Sequence, residues 1–282
     1  MDTYYIDGEF VPDNEAVVSV KDIAVLRGVG VFDFLRTYNR RPFHLEEHIT
    51  RLENSAKCIG LTLKHSAKEI CAIVDETMKK NPHHVESNIR IVYTGGISPD
   101  GLTPAGNGKL MVMITPKKEL PASWYQDGAG IALVDMERFI PESKSTSYLC
   151  AVAALQKGVK HAAIESVYVD RSGRILEGTT TNFFFFNGKK LVTPGKDILP
   201  GITRSVVLKL AKDEYDVQVR DIAKTEISDM EEVFITASNK EIVPIVRIDN
   251  RVVGSGKPGK RTQDIMQRFR HYTDAYAQGA IK

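Results

Sequence analysis

From Pro116 to Gly128 the chain reads Pro-Lys-Lys-Glu-Leu-Pro-Ala-Ser-Trp-Tyr-Gln-Asp-Gly, with neither a helical nor a strand period. The patterned stretches on either side must therefore each bury their own apolar faces. At 282 residues the chain suits two modest domains better than one. The expected division is a small domain over residues 1–116, a linker over 117–128 and a larger domain over 129–282.

Each half mixes strands and helices. Tyr4 to Ile6 and Glu9 to Val11 flank Asp7-Gly8, a two-residue hairpin signal. Leu45, Ile49, Leu52, Ala56 and Ile59 then recur at spacings of four and three, with Gly60 placed to end the helix. A second helix is expected from Ser66 to Lys80, stopping before Asn81-Pro82, followed by strands over Asn88–Tyr93 and Lys109–Thr115. After the linker, short strands and turns predominate: 131–135, 166–170, 181–186, 190–192, 217–219, 232–235 and 242–248. Helices are expected at 148–159, 203–212 and 260–275. The fold class is α+β, with the second half sheet-rich and barrel-like.

Composition excludes several kinds of partner. Lys+Arg 38 against Asp+Glu 36 leaves a formal charge of +2, without a basic tract or acidic tail, which argues against nucleic acid and membrane surfaces. Cys58, Cys71 and Cys150 are widely spaced and suggest reduced thiols, with no disulfide frame or metal site. No apolar run approaches the roughly 20 residues of a membrane span, and the acidic N-terminus does not read as a signal peptide. A cytoplasmic setting is the expectation.

Four places carry possible chemistry. Lys144, in Glu142-Ser143-Lys144-Ser145-Thr146, lies between a strand and a helix among small hydroxyl residues. Such a position can desolvate an ammonium and make it a nucleophile, although a solvated surface lysine is the plainer reading. Glu177 falls where a strand runs into a polar loop; it reads as a surface ion pair or as a partner for a protonated ring nitrogen. Ile198-Leu199-Pro200-Gly201-Ile202-Thr203-Arg204 opens a helix, and the first-turn amides of Ile202 and Thr203 with the Thr203 hydroxyl make an anion site. A simple N-cap by Thr203 accounts for the same residues. His48 and Arg51 share one face of the first long helix, where Arg51 can meet a phosphate or merely Glu47.

Taken in order, Arg51 in His-x-x-Arg-Leu, Lys144, Glu177 with Asn182 five on, Gly201-Ile202-Thr203-Arg204, and Phe234-Ile235-Thr236-Ala237-Ser238 followed by Pro244 resemble the class IV, fold type IV pyridoxal-phosphate aminotransferases. The likeness covers nearly the whole chain. It implies a small N-terminal α/β domain, a larger C-terminal pseudo-barrel domain, pyridoxal 5'-phosphate as cofactor, and a homodimer whose partner contributes to each active site. Carried over, Lys144 forms the internal aldimine and moves the proton, and Glu177 holds the pyridinium. Arg51, Ile202, Thr203 and Ser238 hold the phosphate. The turn at Ser238-Asn239-Lys240 corresponds to one that meets the substrate carboxylate in branched-chain members.

Departures from the family pattern bear on the substrate. Asn239 and Lys240 are bulkier than the small residues usual in that turn. Arg27 stands where many members carry a tyrosine, Arg90 begins the strand Arg90-Ile91-Val92-Tyr93, and Thr94-Gly95-Gly96 replaces the Thr-Arg-Gly of D-amino acid enzymes. Two guanidinium groups suit a carboxylate through bidentate bonds; the alternative is that they pair with Asp33 or Glu86. The expected activity is therefore transfer of an amino group between a D-amino acid and a 2-oxo acid, with Arg27 and Arg90 holding carboxylate. The rivals are a branched-chain L-amino acid aminotransferase, a 4-amino-4-deoxychorismate lyase and a cofactor-free binding protein on the same fold.

Overall fold

A computed structural model describes residues 1–159 and 162–281 of the chain. Contacts divide the protein into two units, and the division is discontinuous. The first comprises Met1–Lys118, Glu142–Tyr148 and Asp274–Lys282, and the second Glu119–Pro141 and Leu149–Thr273. The linear division at 116 and 129 suggested by the sequence is thus not the one the contacts follow. The reason lies in backbone pairing: Phe32 N–H donates to Lys144 O at 2.9 Å, and Thr146 N–H donates to Gly30 O at 2.9 Å.

The first unit contains β1 (Thr3–Ile6), β2 (Glu9–Pro12), α1 (Ile23–Arg27), β3 (Gly30–Tyr38), β4 (Arg41–Pro42), α2 (Leu45–Cys58), α3 (Ala67–Lys80), β5 (Ser87–Thr94) and β6 (Leu110–Pro116). Its sheet runs β2-β1-β6-β5-β3-β4. The β1–β2 turn has positive φ at Asp7 and Gly8, as a right-twisted two-residue hairpin demands. Ser66 and Glu69 form a reciprocal capping box at the start of α3. Because side chains alternate along a strand, Val31, Leu35, Ile89, Ile91, Val112 and Ile114 meet the apolar faces of α2 and α3 in one core. The alternating residues, Phe32, Phe34 and Arg90 among them, fall on the opposite face.

The sequence pattern does not announce β3. Asp33, Arg36 and Thr37 are buried within it, so neither alternation nor an unbroken apolar run marks the strand. Asp33 is met by His48 and Arg51 of α2 and Thr37 by Glu86, all distant in sequence, whereas the Arg36 guanidinium lies over the Tyr38 ring.

The second unit contains α4 (Ser123–Gln126), β7 (Ala129–Asp135), α5 (Leu149–Gly158), β8 (Glu165–Val169), β9 (Arg174–Gly178), β10 (Asn182–Asn187), β11 (Lys190–Thr193), α6 (Ile202–Ala211), β12 (Asp216–Val219), β13 (Ile222–Ala223), β14 (Glu232–Ala237), β15 (Glu241–Ile248), β16 (Arg251–Val252) and most of α7 (Lys260–Ala277). Its sheet runs β12-β11-β10-β14-β15-β7-β8-β9-β13, with β16 beside β15. Phe183 to Phe186 are all buried, which marks β10 as a strand covered on both faces. The expected linker is not free chain: α4 forms within it, and Trp124 and Tyr125 pack on the second core. Two large aromatic side chains are partly covered there, which holds an otherwise aperiodic segment in place. No helix among the described residues is long and apolar enough to cross a membrane.

Candidate active site

Within the first unit, α2 presents His48, Arg51 and Ser55 on one buried face. Arg51 donates to both Asp33 oxygens, Nε to Oδ2 at 2.9 Å and Nη2 to Oδ1 at 2.8 Å, and His48 Nδ1 lies 2.6 Å from Oδ1. Arg51 therefore meets Asp33, not Glu47, which instead lies 2.8 Å from His44 Nδ1. Burial works to raise the Asp33 carboxyl, but the charges and hydrogen bonds of Arg51 and His48 outweigh it and hold the group far below the usual carboxylate range. Burial lowers the His48 pKa against the opposing pull of Asp33, and the Arg51 and Lys144 charges add to the lowering.

Ser55 fixes Lys144. Its hydroxyl accepts from Lys144 N–H at 3.0 Å, and its carbonyl accepts from Ser143 Oγ at 3.0 Å. With the bonds to Gly30 and Phe32 already described, residues 144–146 run beside the start of β3. The Lys144 ammonium then stands 4.6 Å from the centroid of Phe32. The Arg90 guanidinium covers the same ring at 5.1 Å and Phe34 at 5.3 Å. Lys144 and Arg90 are thus brought together over one aromatic ring on the sheet face turned away from α2.

The second unit holds the carboxylate and the helix start. Glu177, buried at the end of β9, receives Arg138 Nη1 at 2.8 Å on one oxygen and Leu199 N–H at 2.9 Å on the other. Asn182 Nδ2 donates to Leu199 O at 2.9 Å. A single backbone residue is clamped at both polar groups, and the clamp sets the path into α6. Helix α6 begins at Ile202 with Gly201 as its N-cap and no side-chain cap, so Thr203 is not the capping residue. The amides of Ile202 and Thr203 lie in the first turn, where the helix itself supplies no carbonyl to receive them. A Cβ on Gly201 would collide with Asn182 Oδ1, so only glycine permits this approach. Arg204 turns back to Thr193 Oγ1 (3.3 Å) and Pro194 O (2.8 Å). Thr181 and Thr236 carry buried hydroxyls that have no hydrogen-bond partner among the described residues.

The remaining expected residues divide. Ser238 follows β14, whose Thr236 pairs with Asn182 in β10, so the turn lies beside the Leu199 clamp. Asn239 is exposed in that turn. Lys240 donates to Thr180 Oγ1 at 2.9 Å, while Thr180 donates to Glu165 Oε2 at 2.6 Å. Burial lowers the Lys240 pKa, opposed by the Glu165 charge; its ammonium ties the turn to the loop after β9. Arg27 is exposed at the end of α1 and donates to Leu26 O at 3.0 Å. Neither Arg27 nor Arg90 pairs with Asp33 or Glu86, since Asp33 serves Arg51 and His48 while Glu86 receives Thr37 Oγ1 and the Asn39 amide. Arg138, Ser55 and Phe32 escape sequence reasoning. Arg138 lies in a loop without pattern, and the other two look like ordinary helix and core residues.

The chain matches the family model of the class IV amino-transferases over residues 30–248. It is 34% identical over 274 residues to a putative branched-chain-amino-acid aminotransferase of Methanocaldococcus jannaschii, covering 94% of each chain. It is 30% identical over 269 residues to a D-alanine aminotransferase of Bacillus licheniformis, covering 92% of this chain and 93% of that one. Among solved structures, a branched-chain amino acid aminotransferase from Escherichia coli superposes with a TM-score of 0.86 at 27% identity, covering 95% of this chain and 93% of that one.

Proposed function

We propose that this chain, which belongs to the class IV aminotransferases, moves an amino group between a D-amino acid and a 2-oxo acid. Its architecture is the two-domain fold type IV, and its cofactor is pyridoxal 5'-phosphate. The residues fit that group. The buried, unpartnered hydroxyls of Thr181 and Thr236 and the open first turn of α6 favour a ligand rich in acceptors.

In this reading the amides of Ile202 and Thr203, the hydroxyls of Thr203 and Ser238, and Arg51 hold the phosphate. Arg51 does so as a guanidinium already oriented by Asp33. Glu177, kept in place by Arg138 and Leu199, holds a proton on the ring nitrogen. When bound, the cofactor supplies a conjugated ring that takes up the electron pair left as a proton departs. Lys144 anchors the cofactor, accepts the proton from the substrate α-carbon and returns it for transfer. Ser55 and β3 hold the backbone from which it works.

One observation supports an arginine-based hold on the substrate carboxylate. Arg90 shares the Phe32 ring with Lys144 and has no carboxylate partner among the described residues. A guanidinium so placed suits a substrate carboxylate by a two-pronged, charge-assisted bond. Arg27, exposed at the end of α1, is read with Arg90 as the second guanidinium for that carboxylate, and the enzyme as a homodimer. The rival reading, a branched-chain L-amino acid aminotransferase, draws on the similar identity to relatives of that name.

The test is the half-reaction followed by absorbance of the enzyme-bound cofactor with D-alanine, D-glutamate, L-leucine and L-glutamate. Fast conversion with the D-amino acids is expected. Fast conversion with L-leucine and none with either D-amino acid would overturn the reading in favour of the branched-chain one.

A further inference from the structure

In the first unit, the start of β1 and the loop after α3 bring together three ligand-bearing side chains that the transamination chemistry does not use. His83 Nε2 is 3.0 Å and His84 Nε2 is 2.9 Å from the same Oδ1 of Asp2. The two rings stand edge to face, with centroids 4.4 Å apart and an interplanar angle of 81°. All three donor atoms lie within 4.8 Å of one another. Adjacent residues on an extended backbone point to opposite sides, so convergence of two neighbouring histidines requires a shaped loop.

That loop is held firmly. Asn81, buried at the end of α3, accepts from Thr3 N–H and donates to Thr3 O, both at 2.8 Å, and donates to Thr77 O at 2.8 Å. Arg40 Nη1 donates to Pro82 O at 3.0 Å and to His84 O. The backbone on both sides of the cluster is therefore fixed without help from the three side chains themselves. Ser87 Oγ lies 3.5 Å from His84 Nδ1, and a hydroxyl can accept a proton there as readily as donate one. Facing the Asp2 carboxylate, His84 Nε2 carries the proton in the metal-free cluster; when an ion takes that place, the proton can sit on Nδ1 and point at Ser87 Oγ, as outer partners orient metal-binding histidines. His83 is half exposed while His84 is covered, so the cluster is anchored on one side and open to solvent on the other.

We propose that Asp2, His83 and His84 bind a divalent transition-metal ion through two imidazole nitrogens and one carboxylate oxygen. Two imidazoles with one carboxylate suit Zn²⁺ or Ni²⁺ and not the all-oxygen cations. Ligands at about 2.0–2.1 Å from a tetrahedral ion are roughly 3.3 Å apart, so the two spacings between Asp2 and the histidines need open by only a few tenths of an ångström. Water fills the remaining positions. The ion displaces the protons that the imidazoles share with Asp2, and it ties the first residues of the chain to the loop that leads into β5.

The test is calorimetric titration of the holoenzyme, purified without a polyhistidine tag, with ZnCl₂ and separately with NiCl₂. One saturable site per chain is expected, with affinity at least about tenfold weaker in His83→Ala and in Asp2→Asn, since loss even of an outer partner costs about 10–100-fold. Zn²⁺ should raise the Tm of the parent protein and of neither variant. Absence of saturable binding, or equal binding in parent and variants, overturns the site and leaves a hydrogen-bonded tie. His83 is exposed enough that His83→Ala leaves the fold intact, which circular dichroism checks.

Discussion

Asp33 shows how a single buried side chain can organise chemistry it does not itself perform. It neutralises Arg51 and orients His48, and all three are buried. Asp33→Ala leaves a buried guanidinium without its counter-charge and an imidazole without its hydrogen-bond partner, and a loss of about 3–5 kcal/mol in unfolding free energy is expected from denaturant titration. The pH dependence has a definite sign. His48 has its pKa lowered from 6.5 on folding, so the unfolded chain binds the extra proton and stability falls as pH drops below that value. Asp33, lowered from 3.8, adds a further loss as pH falls below its own unfolded value. The His48→Gln variant should lose the first part of this decline and keep the second, as chemical denaturation at a series of pH values will read. At the reacting centre, Lys144→Ala should lower kcat by about 10²–10⁴-fold with the fold unchanged. Arg90→Ala should raise KM for the amino acid about tenfold to a hundredfold, the range of one charge-assisted hydrogen bond, while leaving cofactor affinity near that of the parent. Equal KM in the variant would make Arg90 a structural residue.

At the scale of elements, the entry to α6 is the part most legible in the sequence. Gly201-Ile202-Thr203 marks a helix start from local rules alone, and α6 begins at Ile202, one residue before the expected start. What sequence does not disclose is that Glu177 and Asn182, from β9 and β10, grip Leu199 from both sides. Carboxylate and helix start are thereby held in one piece. Gly201→Ala drives a methyl against Asn182 Oδ1 and must shift the loop. A stability loss of about 1–3 kcal/mol is expected, together with weaker binding of pyridoxal phosphate to the apoenzyme, measured by reconstitution titration. Unchanged cofactor affinity would show that the loop's position is not what holds the phosphate. Helices α2 and α3 are equally readable, because apolar spacing and a capping box are short-range signals.

For the whole molecule, the discontinuous division matters more than element count. The last residues of α7 close the first unit: Tyr276 Oη donates to Pro42 O at 2.9 Å and accepts from His44 N–H at 3.1 Å, and Arg41 reaches the Tyr276 carbonyl. Tyr276→Phe removes both hydroxyl bonds and should cost about 1–2 kcal/mol, seen as a lower Tm in thermal melts. No change in Tm would mean that the packing of the ring against Phe43 suffices.

The sequence by itself determined the α+β class, the helices with clear periods and caps, and the ordered set of residues that marks the class IV aminotransferases. These depend on spacing within a few residues or on identity at single positions. Only the tertiary structure decided that Arg51 meets Asp33, that Lys144 belongs to the first unit, and that Arg90, unlike Arg27, stands over the same ring as the lysine. Each of those facts depends on strand pairing or packing between segments far apart in the chain, and no local period encodes which distant partner a buried charge will find.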